Sequence, residues 1–303
     1  MTIRNPNQHT VAIVQARMGA SRLPGKVLEH IAGEPMLVRV VDRTRRADLI
    51  DEVVVATSTQ PEDGAIDALC QSKGYPCYRG SLHDVLDRYY QAARWFSADV
   101  IVRLTADCPL IDPQVIDQTV AAFLGQVGEF IIEGKAQPIS VRNDRDQVYL
   151  DFAANRLPPP WRRTFPIGLD TEVCTFNALQ IAWQEADQAH QREHVMPYLY
   201  EHPERFRVLL INHEPDYGRL RWTVDTADDL ELVRRIYSRL GARRDFNWLD
   251  VLSLFEQNPE LAGINAFVQH KHLKNIDERV AHRFAGTTGK GNDRPGDPTR
   301  APE

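Results

Sequence analysis

Several things are scarce in this 303-residue sequence, and each absence narrows its chemistry. It has only 4 cysteines, Cys70, Cys77, Cys108 and Cys174, and no two of them form a CxxC pair. A zinc site is therefore not indicated, and four small buried or half-buried thiols in a reducing compartment are the simpler reading. No apolar run approaches the roughly 20 residues that cross a bilayer. The first ten residues are polar and carry no signal-peptide core, so the chain reads as cytoplasmic and without a membrane partner. Basic charge is not in excess: 36 Lys+Arg against 42 Asp+Glu leave a formal net charge of −6. Without a dense cationic tract to neutralise successive phosphates, a nucleic-acid partner is not expected. Glycines never fall into GxGxxG, so the dinucleotide fingerprint is missing too.

What is present describes a folded protein, with 43% hydrophobic and 26% charged residues. The first half alternates strand-like and helix-like segments. Strands are expected at Val11–Val14, Val53–Ala56, Cys77–Tyr78 and Val100–Leu104, the last apolar except for Arg103. Helices are expected at Met36–Ala47, after Pro61, at Val85–Phe96 and after the Asp112-Pro113 cap. On the first helix Arg39, Arg43 and Arg46 fall on the face opposite the apolar one, which is expected to be solvated. Continuous apolar strands separated by helices imply an α/β fold whose mainly parallel sheet is covered on both faces, a Rossmann-like three-layer α/β/α arrangement. Ligands in such sheets bind beyond the carboxyl ends of the strands. The functional residues should then follow Val14, Ala56 and Leu104.

The second half is less regular. The charged stretch 134–160 reads as an excursion from the sheet, a hairpin suited to dimerisation. Helices are expected at Ala178–Ala189, Glu193–Tyr200, Asp228–Leu240, Trp248–Glu256 and Ile264–Arg283, and strands at Phe206–Ile211 and Leu220–Val224. Residues 286–303 are disordered by composition.

The most informative segment directly follows the first strand: Gln15-Ala16-Arg17-Met18-Gly19-Ala20-Ser21-Arg22-Leu23-Pro24-Gly25-Lys26. Gly19 and Gly25 let the backbone approach a ligand, and exposed N–H groups in such a turn cradle phosphate oxygens. Arg17, Arg22 and Lys26 add positive charge and Ser21 a hydroxyl, which is what a triphosphate requires. It is not a Walker A loop: the glycine gap is one residue too long, and Val27 stands where Ser or Thr would bind magnesium.

This loop resembles the N-terminal signature of the sugar cytidylyltransferases, the family of the CMP-sialic acid and CMP-KDO synthetases, and above all its spore-coat polysaccharide biosynthesis protein F branch. The resemblance continues, in family order, through Arg79-Gly80-Ser81 with Asp84 to Tyr89, Arg103 to Leu110, Pro166 to Val173, Arg192 to Tyr198 and Arg221 to Thr226, covering residues from about 10 to 240. It implies a nucleotide-diphospho-sugar transferase fold over residues 1–245, with a helical extension at 246–285 that has no counterpart in the family.

The implied activity is transfer of CMP from CTP to the hydroxyl of a sugar or sugar acid, releasing pyrophosphate, for surface or spore-coat polysaccharide. Arg17, Lys26 and Asp107 are the expected catalytic residues. Gln15, Ala16, Arg17, Gly19, Ser21, Arg22, Lys26 and Thr57 would hold the nucleotide. Arg79, Asp84, Asp87, Arg88, Asp170 and Glu172 would face the acceptor. Asp107 and Asp225, each expected to follow an apolar strand, would bind Mg²⁺, which prefers one or two carboxylates plus phosphate oxygens and water. The competing role for Asp225 is capping the helix that follows it. No general base is evident; His194 reads more simply as a packed or paired histidine. The resemblance also implies a homodimer. Two other functions compete: a glycosyltransferase of similar fold, for which the only DxD is Asp144-Arg145-Asp146, and a catalytically silent nucleotide-binding subunit.

Overall fold

The computed structural model describes residues 8–125, 129–132, 135–138, 150–240 and 245–269. In chain order its elements are β1 (Thr10–Gln15), β2 (His30–Ile31), β3 (Glu34–Pro35), α1 (Met36–Thr44), β4 (Glu52–Ser58), α2 (Gly64–Lys73), β5 (Cys77–Gly80) and α3 (Val85–Trp95). Then come β6 (Val100–Thr105), α4 (Pro113–Gly125), β7 (Glu129–Ile132), β8 (Lys135–Pro138), β9 (Phe152–Ala154), β10 (Glu172–Thr175), α5 (Phe176–Glu185) and α6 (Ala189–His194). The last are α7 (Pro197–Glu201), β11 (Val208–Leu210), α8 (Ala227–Leu240) and α9 (Trp248–Gln257).

Nine strands form one sheet in the order β5-β4-β1-β6-β10-β9-β11-β7-β8, and β2 with β3 makes a separate short ladder. Strands β5, β4, β1 and β6 run parallel. β10 is antiparallel to both β6 and β9, and β9 is parallel to β11. The β7–β8 hairpin is added antiparallel at one edge. Side chains alternate across the strands, because successive residues point to opposite faces. Ala12, Val14, Val55 and Val102 pack under α1, α4, α8 and α9. Val11, Ile13, Val54 and Ile101 pack under α3, α5 and α7. The result is the expected three-layer α/β fold.

Register sets the site. Gln15 at the end of β1 pairs with Ala56 of β4 and Thr105 of β6, so three strands finish at one level. The chain leaves β1 toward β4 on one side and reaches β6 on the other. This is the reversal of strand order where open α/β sheets bind ligands.

Five expectations are corrected. Arg43 is not on a solvated face: it is 4% exposed, donates to the carbonyls of Ile111 (2.6 Å) and Phe246 (3.2 Å), and stacks over the Phe246 ring. The chain after α8 covers α1 at this point, and its carbonyl needs a long donor. Inside the supposed excursion, Phe152–Ala154 is a fully buried inner strand, too short for its periodicity to show. The Glu193–Tyr200 helix is two short ones, broken where Val195 takes φ +73° before Pro197. The stretch expected as a helix from Ile264 is turn and coil as far as 269, and the remainder lies outside the described residues. Asp144-Arg145-Asp146 and the tail from 286 also lie outside them.

The fifth concerns Leu220–Val224, which is buried but not a sheet strand. It makes one bridge, with Ile167 N–H donating to Leu220 O (2.8 Å) and Trp222 N–H to Ile167 O (2.7 Å). Gly168 then turns away at φ +111°, and a Cβ there would lie 2.7 Å from the Thr223 nitrogen. Val224 N–H instead donates to the Asp107 carbonyl (2.8 Å), which also accepts from the Thr223 hydroxyl (3.1 Å). The segment carrying Asp225 is thus pinned to the end of β6 without joining the sheet.

Gly168→Ala should therefore lose about 1–3 kcal/mol from backbone strain alone, before the clash is counted. Gly64→Ala, at ordinary helical angles (φ −58°) with open space around it, should be neutral or slightly stabilising. Urea unfolding of both variants measures the contrast; equal midpoints would refute the close-approach account.

Candidate active site

The loop after β1 is closed by its own backbone. Ala16 N–H donates to Ala56 O (3.1 Å), and the Met18 carbonyl accepts from Ala20 (2.9 Å) and Gly25 (2.8 Å). Met18 N–H donates to Asp63 Oδ1 (2.7 Å), and the other oxygen of that buried carboxylate accepts from the Ser58 hydroxyl. Asp63 thereby ties the loop to the end of β4. Gly25 adopts φ +75°, a left-handed conformation that favours glycine, and launches a 3-10 turn over Lys26–Leu28. Val27 enters the core and turns Lys26 inward, leaving it 7% exposed.

All three protons of the Lys26 ammonium are taken. Nζ donates to Asp107 Oδ2 (2.8 Å), Asp225 Oδ1 (2.9 Å) and the Val224 carbonyl (2.7 Å). The two acids, one following β6 and one preceding α8, thus meet at a single cation. Asp225 Oδ2 also takes Arg22 (2.7 Å) and Arg221 (2.7 Å). Burial opposes its charge, but Lys26, Arg221 and Arg22 outweigh burial and hold the carboxyl well below the usual range. Burial likewise disfavours the Lys26 charge, yet Asp107 and Asp225 leave its pKa raised. Asp225 does not cap α8. Thr226 does, its hydroxyl accepting from Asp229 N–H (3.3 Å).

The donor set at this point is two carboxylate oxygens and one carbonyl, all hard oxygens, with a cation already at their meeting point. That chemistry fits Mg²⁺ or Mn²⁺, which take few carboxylates and complete their shell with phosphate and water. No cluster of three or more His, Cys, Asp or Glu metal donors occurs among the described residues.

On the opposite face, Arg103 bridges Glu172 and Gln15, its Nη2 lying 3.3 Å from Gln15 Oε1. Arg88 is 1% exposed and donates to Ser81 O (2.6 Å), while its Nε has no hydrogen-bond partner among the described residues. Burial pulls its pKa down to about 10. The Thr57 hydroxyl is also buried and unpartnered among the described residues. The other expected acceptor-side residues hold structure. Arg79 donates to the carbonyls of Ser58 (3.0 Å) and Gln60 (2.9 Å). Asp84 caps α3 and pairs with Arg192. Asp87 accepts from Trp183 (2.9 Å), and Asp170 pairs with Arg163. Gly19 and Ser21 lie on the loop itself.

Lys26, Arg22, Asp107 and Asp225 therefore come together as one cluster, and Gln15 with Glu172 as another. Sequence reasoning assigned no site role to Asp63, Arg103, Arg221, Asp229 or Asn265. Arg103 was visible as the lone charge in an apolar strand; Asp63 looked like an ordinary helix-start acid.

Comparison with known proteins gives a consistent picture. The family described as cytidylyltransferase matches residues 11–232. Spore coat polysaccharide biosynthesis protein SpsF of Bacillus subtilis is 31% identical over 82% of this chain and 95% of its own. A 3-deoxy-manno-octulosonate cytidylyltransferase of Trichlorobacter lovleyi is 41% identical over a shorter stretch, 39% of this chain and 46% of its own. Among solved structures, a cytidylyltransferase from Leptospira borgpetersenii superposes with a TM-score of 0.73 at 29% identity, covering 88% of this chain and all (100%) of that one.

The lowered Asp225 pKa has a consequence in acid. A carboxyl that resists protonation when folded stabilises the protein above the ordinary aspartate range, near pH 4, and that contribution fades as pH falls toward the folded value. Asp225→Asn should be less stable than wild type at neutral pH, with the gap narrowing below about pH 4. Asp229, also lowered, keeps part of the slope in both proteins. Urea midpoints from pH 7 to pH 2.5 test this, and parallel curves would contradict it.

Proposed function

This chain belongs to the cytidylyltransferase family, and we propose that it transfers CMP from CTP to the hydroxyl of a sugar or sugar acid for polysaccharide assembly. The observation that supports this most directly is the Lys26 ammonium shared by Asp107 and Asp225 at the carboxyl end of the parallel strands. The sugar hydroxyl oxygen attacks the α-phosphorus and its proton passes to water, the bond from that phosphorus to the bridging oxygen breaks, and pyrophosphate leaves with that oxygen. The transition state spreads negative charge over phosphate oxygens, so positioning and electrostatic stabilisation do most of the work.

In this reading Arg17, Arg22, Lys26, Ser21 and the N–H groups around Gly19 take the polyphosphate. Phosphate oxygens offer Lys26 and Arg22 the anionic acceptors that Asp107 and Asp225 provide now. Gln15, Ala16 and Thr57 flank the base and ribose; the buried Thr57 hydroxyl has no hydrogen-bond partner among the described residues. Arg88 and Glu172 lie nearest the acceptor, and Arg79, Asp84, Asp87 and Asp170 hold the walls around them. Asp107 and Asp225 would hold Mg²⁺, which supplies positive charge to the phosphate oxygens when bound. Lys26, Arg22 and Arg221 balance Asp107, Asp225 and Asp229 in charge. A divalent ion arriving alone would leave an excess of positive charge, whereas one arriving with a triphosphate of about four negative charges would bring a net negative charge, which further cations of the loop such as Arg17 would offset in part.

The test is pyrophosphate release from CTP, UTP, GTP and ATP against a panel of neutral and acidic sugars. CTP with at least one sugar should release pyrophosphate, EDTA should stop it, and added Mg²⁺ should restore it. Lys26→Met and Asp107→Asn should each cut turnover by at least about 10²-fold. Wild-type turnover in both variants, or release of a nucleoside diphosphate from a sugar nucleotide instead, would overturn the reading.

A further inference from the structure

The chain beyond α9 lies outside the residues matched by the family, yet it returns to the site. A 3-10 turn over Pro259–Gly263 seats Leu261 fully in the main core, and Asn265 follows at 7% exposure. The Asn265 side-chain amide donates to the Arg221 carbonyl (3.1 Å) and to Asp229 Oδ1 (2.8 Å). Both of these residues hold Asp225, alongside Lys26 and Arg22. Arg221 donates through Nε to Asp229 Oδ1 (2.9 Å) and through Nη2 to Asp229 Oδ2 (3.2 Å) and Asp225 Oδ2 (2.7 Å). Asp229 Oδ2 in turn accepts from the backbone N–H groups of Asp225 (2.9 Å) and Thr226 (3.0 Å). Asp225 is thus gripped at its side chain by Arg221 and at its backbone by Asp229, and Asn265 closes the ring between the two. The same segment touches the glycine loop, where Arg22 Nη1 donates to the Gln269 carbonyl (3.2 Å).

We propose that Asn265 is a positioning residue for the second acid. By locking Arg221 against Asp229 it keeps the Asp225 carboxylate aimed at the point it shares with Asp107, and so tunes metal binding beside the nucleotide. The fully buried Asp229 carboxylate depends on donors from every side, and removing one frees Arg221 to shift with Asp225 attached. This rests on the reading of Asp107 and Asp225 as the metal-holding pair. Leu261 packing anchors the backbone independently of the amide, so the polar and apolar roles of this segment are separable.

The experiment measures Mn²⁺ affinity by EPR with CTP present and no acceptor sugar, together with KM for the sugar and Tm, in the full chain. Asn265→Ala should weaken Mn²⁺ binding about tenfold or more, the range for groups that orient metal ligands. Its KM for the sugar should change less than twofold. Asn265→Ser, which keeps one donor, should fall between Asn265→Ala and wild type, and serves if Asn265→Ala does not fold. Leu261→Ala should lower Tm while leaving Mn²⁺ affinity within twofold. The proposal is overturned if folded Asn265 variants bind Mn²⁺ like wild type, or if Leu261→Ala weakens binding as much as they do. If the wild-type chain binds no Mn²⁺ beside CTP, the metal reading falls and the positioning role with it.

Discussion

One ammonium group organises this molecule's working end. Lys26 is nearly buried, and a buried cation is tolerated only when paired and fully hydrogen-bonded. Asp107, Asp225 and the Val224 carbonyl meet that demand together. The arrangement draws in the glycine loop, the end of β6 and the approach to α8, three regions far apart in the chain. Everything else near the site is disposed around this contact: Gly25 turns the loop so that Lys26 points inward, Asp63 anchors the loop's first turn, and Arg22 and Arg221 crowd Asp225 from the other side.

The sheet shows the same economy. Its parallel half, β5-β4-β1-β6, was legible in the sequence because β1, β4 and β6 are apolar runs between helices, interrupted only by Arg103 in β6, while the brief β5 shows only as Cys77-Tyr78. Its mixed half was not. β9 is three residues long, and β10 is four residues long and opens on Glu172 just after Asp170, so neither carries a periodic signal. Leu220–Val224 carries the opposite lesson. Its apolar pattern reports burial faithfully, but burial in a three-layer fold does not require membership of a sheet.

The polar side chains divide in a similar way. Lys26, Asp107 and Asp225 stood out because each is a lone charge beside glycine, proline or an apolar run. Arg43 deceived because its place on the helix predicts exposure, whereas the covering Phe246 comes from a distant segment. Arg79, Asp84 and Asp87 fall within the family-like motif, and in the structure they bind carbonyls, a helix end and Trp183. A motif records which residues recur together without separating those that touch a ligand from those that hold the wall. Asn265 left no trace at all, since nothing local marks an asparagine whose partners lie some forty residues upstream.

The hydrogen bond from Val224 N–H to the Asp107 carbonyl joins the two acidic residues through the main chain as well as through Lys26. This splice brings the two acids close although a long stretch of polypeptide separates them in sequence. Within that stretch the β7–β8 hairpin, which pairs only at the outer edge of the sheet, lies away from this splice. The outermost hairpin can thus change in length while the splice between the two acids is kept.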